Sequence, residues 1–153
     1  MITIKEMAEM LGISTTTVSN VINGKTSEVS QKTAEKVQKL LDEYDYVPNM
    51  NAKNLAQNHS RLIGIVLKRR KDKYENIFTD PFHGELLGAL ESAIREQGYY
   101  MMIYISEDIE EIVRNIVGWN TEGLILIGML HDDYLKIRSK YKKPAVLIDS
   151  YTP

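Results

Sequence analysis

Residues 3–24 read TIKEMAEMLGISTTTVSNVING, and this stretch determines how the first third of the chain folds. Apolar residues recur there at the spacing of one helix face, namely Ile4, Met7, Ala8 and Leu11. Thr3 followed by Glu6 is the pattern of a capping box at the start of this helix, and Gly12 ends it. The stretch therefore predicts a short amphipathic helix and a tight turn leading into a second helix.

The second helix is predicted to begin after Ser14 and to end at Asn23-Gly24. Its inward side carries Val18, Val21 and Ile22, whereas its outward side carries short polar residues, namely Thr15, Thr16, Ser19, Asn20 and Asn23. Helix, Gly12-Ile13-Ser14 and helix is the spacing of a helix-turn-helix. Asn can pair with adenine and a Thr methyl can contact thymine, so this face favours DNA binding. The alternative is a small helical bundle with an indifferent polar face.

A third helix is predicted after Ser30, which can cap it. Its buried side is expected to carry Ala34, Val37, Leu40, Leu41 and Tyr44. The helical pattern stops before Pro48, because proline disfavours helical backbone at the residue that precedes it. Residues 1–46 are therefore predicted to form an all-α domain.

From Leu62 the pattern changes to alternating strands and helices. Strands are predicted at 63–67, 100–105, 123–128 and 145–149, and helices at 82–96, 109–117 and 132–141. The first strand is apolar throughout, as expected for a strand buried on both faces of a parallel sheet. Repeated βα units predict a doubly wound α/β layer over residues 61–153. Because the chain stops straight after a strand, we expect this layer to be a truncated part of a larger domain.

The segment VPNMNAKNLAQNHS, residues 47–60, joins the two halves and contains one unexplained leucine, Leu55. A helix shorter than about 12 residues is marginal in water, so we expect this segment to be largely disordered in the free chain. Two copies in a dimer could fold on binding by packing Met50, Ala52 and Ala56 together. The alternative is an inert linker.

The composition indicates a soluble globular protein, with 43% hydrophobic and 26% charged residues. No apolar run reaches the length of a membrane span and no leader peptide is visible, so we expect a cytoplasmic protein. Cysteine is absent from the sequence, which excludes disulfides and thiolate chemistry. Residues 1–61 carry Lys and Arg in the same number as Asp and Glu, so a DNA-binding prediction rests on pattern and not on bulk charge.

Several stretches together resemble the lactose-repressor/purine-repressor (LacI/GalR) family of transcriptional regulators. They are residues 3–24, VSQKTAEKV at 29–37 and YVPNMNAKNLA at 46–56, followed by LIGIVL, DPFHGELLGALESAIREQGY, EGLILIG and PAVLID in the second half. The resemblance implies a homodimeric, bacterial, nucleoid-associated regulator whose core is similar to periplasmic sugar-binding proteins. It further implies a helix-turn-helix headpiece (1–46), a hinge helix (47–60) and the N-terminal subdomain of an effector-binding core (61–153).

Transferred by position, the resemblance assigns roles to residues of both DNA-contacting elements. Base reading would fall to Thr15, Thr16 and Asn20. Phosphate contact or positioning would fall to Thr3, Ser14, Thr17, Ser19, Asn23, Ser30, Thr33, Tyr46 and Asn49. In the hinge, Leu55 would be the minor-groove wedge beside Ala52 and Lys53. Asn20 stands where several relatives have arginine, so their operator sequence is not transferred, and Lys53 stands where many relatives have arginine. The loop 24–28 is about a residue longer than in a member of the family, so contacts in that loop are not transferred either.

Effector binding is predicted at the carboxyl ends of the strands, where open α/β sheets bind ligands. The resemblance places Asp80, Phe82, His83 and Asp149 in that cleft. A turn cap is the alternative for Asp149, an exposed first-turn histidine for His83, and a core side chain for Phe82. The cationic tract 68–73 could attract an anionic effector, or be a solvated loop.

The sequence thus predicts a DNA-binding transcriptional regulator, most simply a repressor of carbohydrate-related genes that responds to a sugar-like effector. The expected partners are a pseudo-palindromic operator, the effector and a second copy of the chain, with no cofactor, no metal and no membrane. The alternative is a sugar-like small-molecule binding protein whose helical N-terminus serves assembly. An enzyme is disfavoured, because no nucleophile–base pair or metal-ligand cluster is visible.

Overall fold

A computed structural model describes residues 1–69 and 76–150 of the chain. The cationic tract 68–73 therefore falls largely outside the described residues. Contacts divide the chain into two compact units, Met1–Lys53 and Asn54–Pro153. This division lies inside the segment that the sequence assigns to a hinge.

Unit 1 begins with three α-helices, as predicted: α1 (Ile4–Leu11), α2 (Thr15–Ile22) and α3 (Gln31–Glu43). The loop before α3 holds a 3-10 turn at Thr26–Glu28. Side chains of Thr3, Ser14 and Ser30 cap the three helices by accepting hydrogen bonds from backbone N–H groups in the first turns. The carboxylate of Glu6 accepts the N–H of Thr3 at 2.8 Å, which confirms the predicted capping box.

A cluster of buried apolar side chains holds these helices together: Met7, Ala8, Val18, Val21, Val37 and Leu40. The predicted burial of Tyr44 is wrong, because its side chain is 47% exposed. Tyr46 packs against the cluster instead. The reason is the turn that ends α3, where Asp45 has a left-handed φ of 46° and the N–H of Tyr46 bonds the carbonyl of Leu41.

A fourth helix, α4 (Met50–Gln57), occupies most of the predicted hinge. The disorder that the sequence predicts for this segment in the free chain stays a prediction beside this helical conformation. Both ends of α4 are capped: Asn49 Oδ1 accepts the N–H groups of Asn51 and Ala52, and Asn58 has a left-handed φ of 53° after the last turn. These caps satisfy backbone groups that would otherwise favour an unfolded, solvated segment.

Unit 2 contains a four-stranded parallel sheet with the order β2-β1-β3-β4. The strands are β1 (Leu62–Lys68), β2 (Tyr100–Ser106), β3 (Gly123–Ile127) and β4 (Ala145–Ile148). Leu62 lies opposite Tyr100, Ile63 opposite Gly123, and Leu124 opposite Ala145. Strands β3 and β4 each end one residue earlier than predicted, because Gly128 and Asp149 adopt left-handed backbone conformations.

Helices cover both faces of this sheet, which confirms the doubly wound prediction. Helix α5 (Pro81–Glu96) packs with Ile65, Leu67 and Ile127 on one face, following a 3-10 turn at Ile77–Thr79. Helices α6 (Ile109–Gly118) and α7 (His131–Lys140) pack with Val66, Leu124 and Leu126 on the other. Alternate residues of β1 thus enter opposite cores, which explains why this strand is apolar throughout.

In the part of the chain that the structure describes, no helix is both long and apolar enough to cross a membrane.

Candidate nucleic-acid interface and ligand edge

Helix α2 presents an uncharged polar face opposite its buried side. Val18 and Val21 enter the core of unit 1, whereas Thr15 and Thr16 are exposed and Asn20 is half-exposed. The amide of Asn23 donates to the carbonyl oxygen of Ser19 at 2.9 Å and to its hydroxyl at 3.2 Å. Asn23 and Ser19 are therefore partly used within the helix, while Thr15, Thr16 and Asn20 lie toward solvent.

The N-termini of α2 and α3 carry matched pairs of hydroxyl groups. Ser14 shares a hydrogen bond of 2.8 Å with Thr17, and Ser30 donates to Thr33 at 2.9 Å. All four residues are predicted phosphate contacts, and the two serines are also the helix caps. A helix N-terminus carries a positive partial charge, so these ends have the polarity that suits a phosphate.

Three further residues that the sequence assigned to phosphate positioning have structural roles in unit 1. Thr3 caps α1, and its hydroxyl donates to Glu6 at 2.8 Å. Tyr46 packs against the apolar cluster with its side chain half-exposed, and Asn49 caps α4. Each of these side chains is held in one place by contacts within its own unit.

Helix α4 carries one large apolar side chain that is almost fully exposed to solvent. Leu55 is 85% exposed, and Ala52 and Ala56 beside it are also exposed. At about 100° per residue these three positions share one face of the helix, whereas Met50 lies on the opposite side. Within one copy of α4, Met50 thus lies away from Ala52 and Ala56, and their packing between two copies stays a prediction.

Three predicted effector residues meet at the N-terminus of α5, beside the carboxyl end of β1. One oxygen of Asp80 accepts the N–H of Phe82 at 2.9 Å, and the other lies 3.3 Å from Nδ1 of His83. That second contact does not have hydrogen-bond geometry, so it is an electrostatic contact only. The ring of Phe82 is 53% exposed and meets the His83 ring edge-on with centroids 5.5 Å apart.

Asp149, the fourth predicted effector residue, follows β4 and is exposed. Its left-handed φ of 47° turns the chain at the carboxyl end of the strand. Asp149 can be both a turn residue and a ligand contact. Its carboxylate at the turn is exposed, so a ligand could reach it from solvent.

The carboxyl edge of the sheet also holds an ion pair that the sequence did not reveal. Lys68 Nζ at the end of β1 donates to Asp133 Oδ2 in the first turn of α7 at 2.6 Å. The side chain of Asp133 is only 8% exposed and that of Lys68 is 29% exposed. The two residues are 65 positions apart, so no local pattern could have connected them.

A second polar network lies at the end of the edge strand β2. Glu111 on α6 accepts hydrogen bonds from Ser106 Oγ and Tyr104 Oη, each at 2.7 Å. These bonds lower the pKa of Glu111, with Ser106 contributing more than Tyr104. The same contact raises the pKa of the Tyr104 phenol, since its proton is held by a carboxylate.

Within residues 1–69 and 76–150, no three His, Asp or Glu side chains lie together in a way that could hold a metal ion. Lys68 instead pairs with Asp133, and Ser106 and Tyr104 pair with Glu111.

Comparison with known proteins identifies a family for the helical N-terminal part of the chain. Residues 3–49 match the model of the family described as bacterial regulatory proteins, lacI family. The chain is 31% identical over 138 residues to the HTH-type transcriptional regulator MalR of Streptococcus pneumoniae (serotype 4, strain TIGR4). This alignment covers 88% of this chain and 41% of the relative. It is also 30% identical over 154 residues to the sucrose operon repressor of Klebsiella pneumoniae, in an alignment that covers 97% of this chain and 44% of the relative.

The fold has a counterpart among solved structures. The crystal structure of the Lac repressor dimer bound to operator and the anti-inducer ONPF superposes with a TM-score of 0.82 at 27% identity, covering 98% of this chain and 45% of that one. The chain thus spans less than half the length of these three proteins, whose names describe a transcriptional regulator and two repressors. Residues 3–49 therefore belong to the lacI family of bacterial regulatory proteins, and the chain as a whole shares the fold of the corresponding part of the Lac repressor.

Proposed function

We propose that the chain acts as a sequence-specific, DNA-binding transcriptional repressor with a headpiece (1–46), a hinge (47–60) and an effector-binding region (61–153). The observation that supports this proposal best is the uncharged, outward polar face of α2 in a helix-turn-helix of the lacI family. Solvated helix faces usually carry long charged side chains, whereas short hydroxyl and amide groups can approach base edges. Such a repressor acts in the bacterial cytoplasm, at the nucleoid.

In this proposal α2 enters the major groove and Thr15, Thr16 and Asn20 read the bases. The exposure of Thr15 and Thr16 and the half-exposure of Asn20 support that assignment. Asn can accept and donate to one adenine at the same time, and Thr methyl groups can contact thymine. The operator is then expected to contain A·T pairs at the positions that these residues reach.

Phosphate contact is assigned to the hydroxyl and amide groups around the helix ends. They are Thr3, Ser14, Thr17, Ser19, Asn23, Ser30, Thr33, Tyr46 and Asn49. The paired hydroxyls at the N-termini of α2 and α3 support this assignment, because helix dipole and hydroxyl donors favour an anion at the same place. Such contacts set register and affinity and leave the choice of sequence to the base contacts.

Helix α4 is assigned to the minor groove at the operator centre, with Leu55 as the wedge and Ala52 and Lys53 beside it. The supporting observation is that Leu55 is 85% exposed on a helix that has no buried residue. An apolar wedge between base steps unstacks them and kinks the duplex. Two such helices, one from each copy of a homodimer, would meet at the centre of a pseudo-palindromic site.

The effector is proposed to be a sugar that binds at the carboxyl edge of the sheet near Asp80, Phe82, His83 and Asp149. An exposed aromatic ring beside carboxylates suits a sugar, because its apolar face can stack while its hydroxyls donate to the oxygens. The name of one relative, the sucrose operon repressor, supports the proposal that the regulated genes are carbohydrate-related. Nδ1 of His83 has no hydrogen-bond partner in the described part of the chain and lies 3.3 Å from Asp80, so both groups are available to a hydroxyl group of the ligand.

Selection from a pool of random duplexes, followed by gel shift across salt concentrations, tests DNA binding. A pseudo-palindromic consensus and a falling affinity with salt are expected, since each neutralised phosphate contributes a slope of about −0.9 in log K against log salt. The alternative, a sugar-binding protein whose helices serve assembly, predicts no consensus and a slope near zero.

Asn20→Ala tests the assignment of base reading. We expect the variant to lose about 1–3 kcal/mol on the selected operator and to relax the preference at one base pair of each half-site. Gln97→Ala is the matched control, because it removes an exposed amide from unit 2. Recovery of the same consensus from wild type and Asn20→Ala would contradict the assignment.

A further inference from the structure

The segment 136–143, KIRSKYKK, carries five cations and no carboxylate, although the net charge of the chain is −2. Its two apolar positions, Ile137 and Tyr141, are one helical turn apart and are buried in the core of unit 2. The cations between and after them lie toward solvent, four of them exposed and the arginine half-exposed. We call them the α7 cationic strip: Lys136, Arg138, Lys140, Lys142 and Lys143.

Neutral oxygen atoms hold most of the strip in place. Arg138 Nη1 donates to the carbonyl of Lys143 at 2.7 Å, and Lys142 Nζ donates to the carbonyl of Arg138 at 2.9 Å. Lys143 Nζ donates to Oδ1 of Asn120 at 2.7 Å and to the carbonyl of Thr121 at 3.1 Å. Carbonyl and amide oxygens orient a cation, but because they carry no net charge they leave its charge unbalanced.

Carboxylates balance little of this charge. In the part of the chain that the structure describes, Lys140 is the one member of the strip that forms an ion pair, with Glu110 at 2.8 Å. That contact lowers the pKa of Glu110, with the hydrogen bond from Lys140 as the largest cause. Another nearby carboxylate, that of Glu122, contacts His59 instead. Four cations of the strip are therefore without a carboxylate partner among residues 1–69 and 76–150.

An exposed apolar side chain borders the strip. Val117 on α6 is 50% exposed and follows Glu110 by two helical turns, so both lie on the same face of that helix. Glu110 reaches Lys140 from this face, which places Val117 beside the strip. A nucleic-acid backbone offers nothing apolar to cover a valine. An acidic protein segment can offer carboxylates and an aliphatic side chain together.

We propose that the α7 cationic strip and Val117 form a docking surface for an acidic segment of another protein, which places an apolar side chain against Val117. Opposite charge steers such a segment to the strip. The neutral contacts hold three of the cations in position before binding, which reduces the entropy lost on association. None of these residues is assigned to DNA, so the proposal does not depend on the proposed function and adds a protein partner to it.

Fluorescence anisotropy with a labelled peptide that repeats Glu-Glu-Leu tests the surface on the full chain. We expect the wild type to bind this peptide at low salt and to release it as salt rises, because exposed charges are screened. Lys136→Gln combined with Lys142→Gln should weaken binding about fivefold, since it removes charge and keeps polar side chains. Lys32→Gln combined with Lys36→Gln is the matched control, because it removes two exposed lysines from α3.

A second peptide, which repeats Glu-Glu-Gly, isolates the apolar contact. Val117→Asn should weaken binding of the leucine peptide about threefold and leave binding of the glycine peptide unchanged. Amide chemical shifts locate the bound peptide, and we expect changes at 117 and 136–143 and none at 15–22. Equal effects of Val117→Asn on both peptides would remove Val117 from the surface and contradict the proposal.

Two further outcomes would overturn the docking surface. The first is a wild-type chain that does not bind the leucine peptide, or equal losses in the strip variant and the α3 control. The second is a random-sequence DNA duplex that shifts the amides of 136–143 at a lower concentration than the peptide does, which would make the strip a nucleic-acid surface. Shifts of β3 and β4 report whether unit 2 stays folded; if a variant alters them, the two peptides and the duplex on the wild type decide.

The same experiment separates this proposal from DNA binding by the headpiece. Asn20→Ala should bind the leucine peptide as the wild type does, although it changes the operator consensus. If the wild type selects no operator, the proposed function fails, and the peptide titration still decides whether the strip is a docking surface.

Discussion

Lys68 and Asp133 depend on each other because the aspartate is almost completely withdrawn from water. Removing the lysine leaves a charge with 8% of its side chain exposed and without the one cation that contacts it among residues 1–69 and 76–150. We therefore expect Lys68→Met to reduce the free energy of unfolding by about 3 kcal/mol. Lys68→Met combined with Asp133→Leu should recover most of that loss, since two apolar side chains can replace a buried ion pair. Urea unfolding at neutral pH measures both effects.

The exposed pair Lys140–Glu110 supplies the matched control for this experiment. Its nitrogen–oxygen distance is 2.8 Å, close to that of the buried pair, but its side chains are 56% and 59% exposed. Exposed pairs contribute about 0–1 kcal/mol, so Lys140→Met should be nearly neutral. Equal losses for Lys68→Met and Lys140→Met would show that burial of Asp133 has no energetic consequence.

At the residue scale, sequence patterns revealed local partners and missed distant ones. Thr3 and Glu6 lie three positions apart, and their reciprocal capping contacts are visible in the sequence alone. Lys68 and Asp133 become neighbours only because β1 and the N-terminus of α7 meet at the same edge of the sheet. The order of the strands in the sheet decides which distant side chains become neighbours. A single sequence contains no signal for that order.

Ser14 caps the N-terminus of α2 and, in the proposed function, also binds a phosphate. The two roles can be separated, because aspartate caps a helix about as well as serine but carries a negative charge. We expect Ser14→Ala to cost about 1 kcal/mol of stability in unit 1. Ser14→Asp should keep that stability and lose at least tenfold in DNA affinity, as measured by thermal unfolding and gel shift.

One outcome would contradict a role of Ser14 in phosphate binding. If Ser14→Asp binds the selected operator as well as the wild type, Ser14 only caps the helix. The control is Asp108→Ser on α6, an N-cap whose side chain accepts the N–H of Glu110 at 2.8 Å and which has no proposed contact with DNA.

Helix α4 gives Leu55 a position that only an external partner can use. We expect Leu55→Ala to keep the helix, since alanine has the higher helix propensity, and to lower both operator affinity and DNA bending. A loss of about tenfold in affinity would correspond to removal of a buried leucine side chain of moderate contact area. Gel shift with a circularly permuted set of operator fragments measures affinity and bend together.

Leu135→Ala is the matched control, because Leu135 is a leucine on α7 that is 51% exposed and has no assigned partner. Unchanged bend and affinity for Leu55→Ala would remove the wedge from the proposed mechanism.

At the element scale, helices and strands were predicted well because their signals are short. Caps and apolar periodicity placed α1 to α3, and apolar runs placed the four strands to within a residue or two. Helix α4 was harder, since its sequence favours neither burial nor high helix content. Its capping by Asn49 and Asn58 and its attachment through His59 involve a left-handed residue and a distant glutamate, which periodicity does not register.

For the whole molecule, the distribution of charge limits how a DNA complex can be stabilised. The net charge is −2, and most of the groups assigned to phosphate contact are neutral hydroxyls or amides. Neutral donors release no counterions, so a modest dependence of affinity on salt is expected despite many contacts. Lys53, which follows Ala52 by about 100° around α4, is the one cation among the residues assigned to DNA.

Lys53→Gln therefore tests both the hinge contact and the number of chains in the complex. Each neutralised phosphate changes the slope of log K against log salt by about 0.9. A homodimer places two copies of Lys53 at the operator, so the variant should flatten the slope by about 2, whereas a single bound chain would flatten it by about 1. Lys39→Gln on α3 is the control, because Lys39 is exposed and has no assigned contact. Equal slopes for Lys53→Gln and Lys39→Gln would place Lys53 away from the phosphates, and a change near 1 would contradict the symmetric dimer.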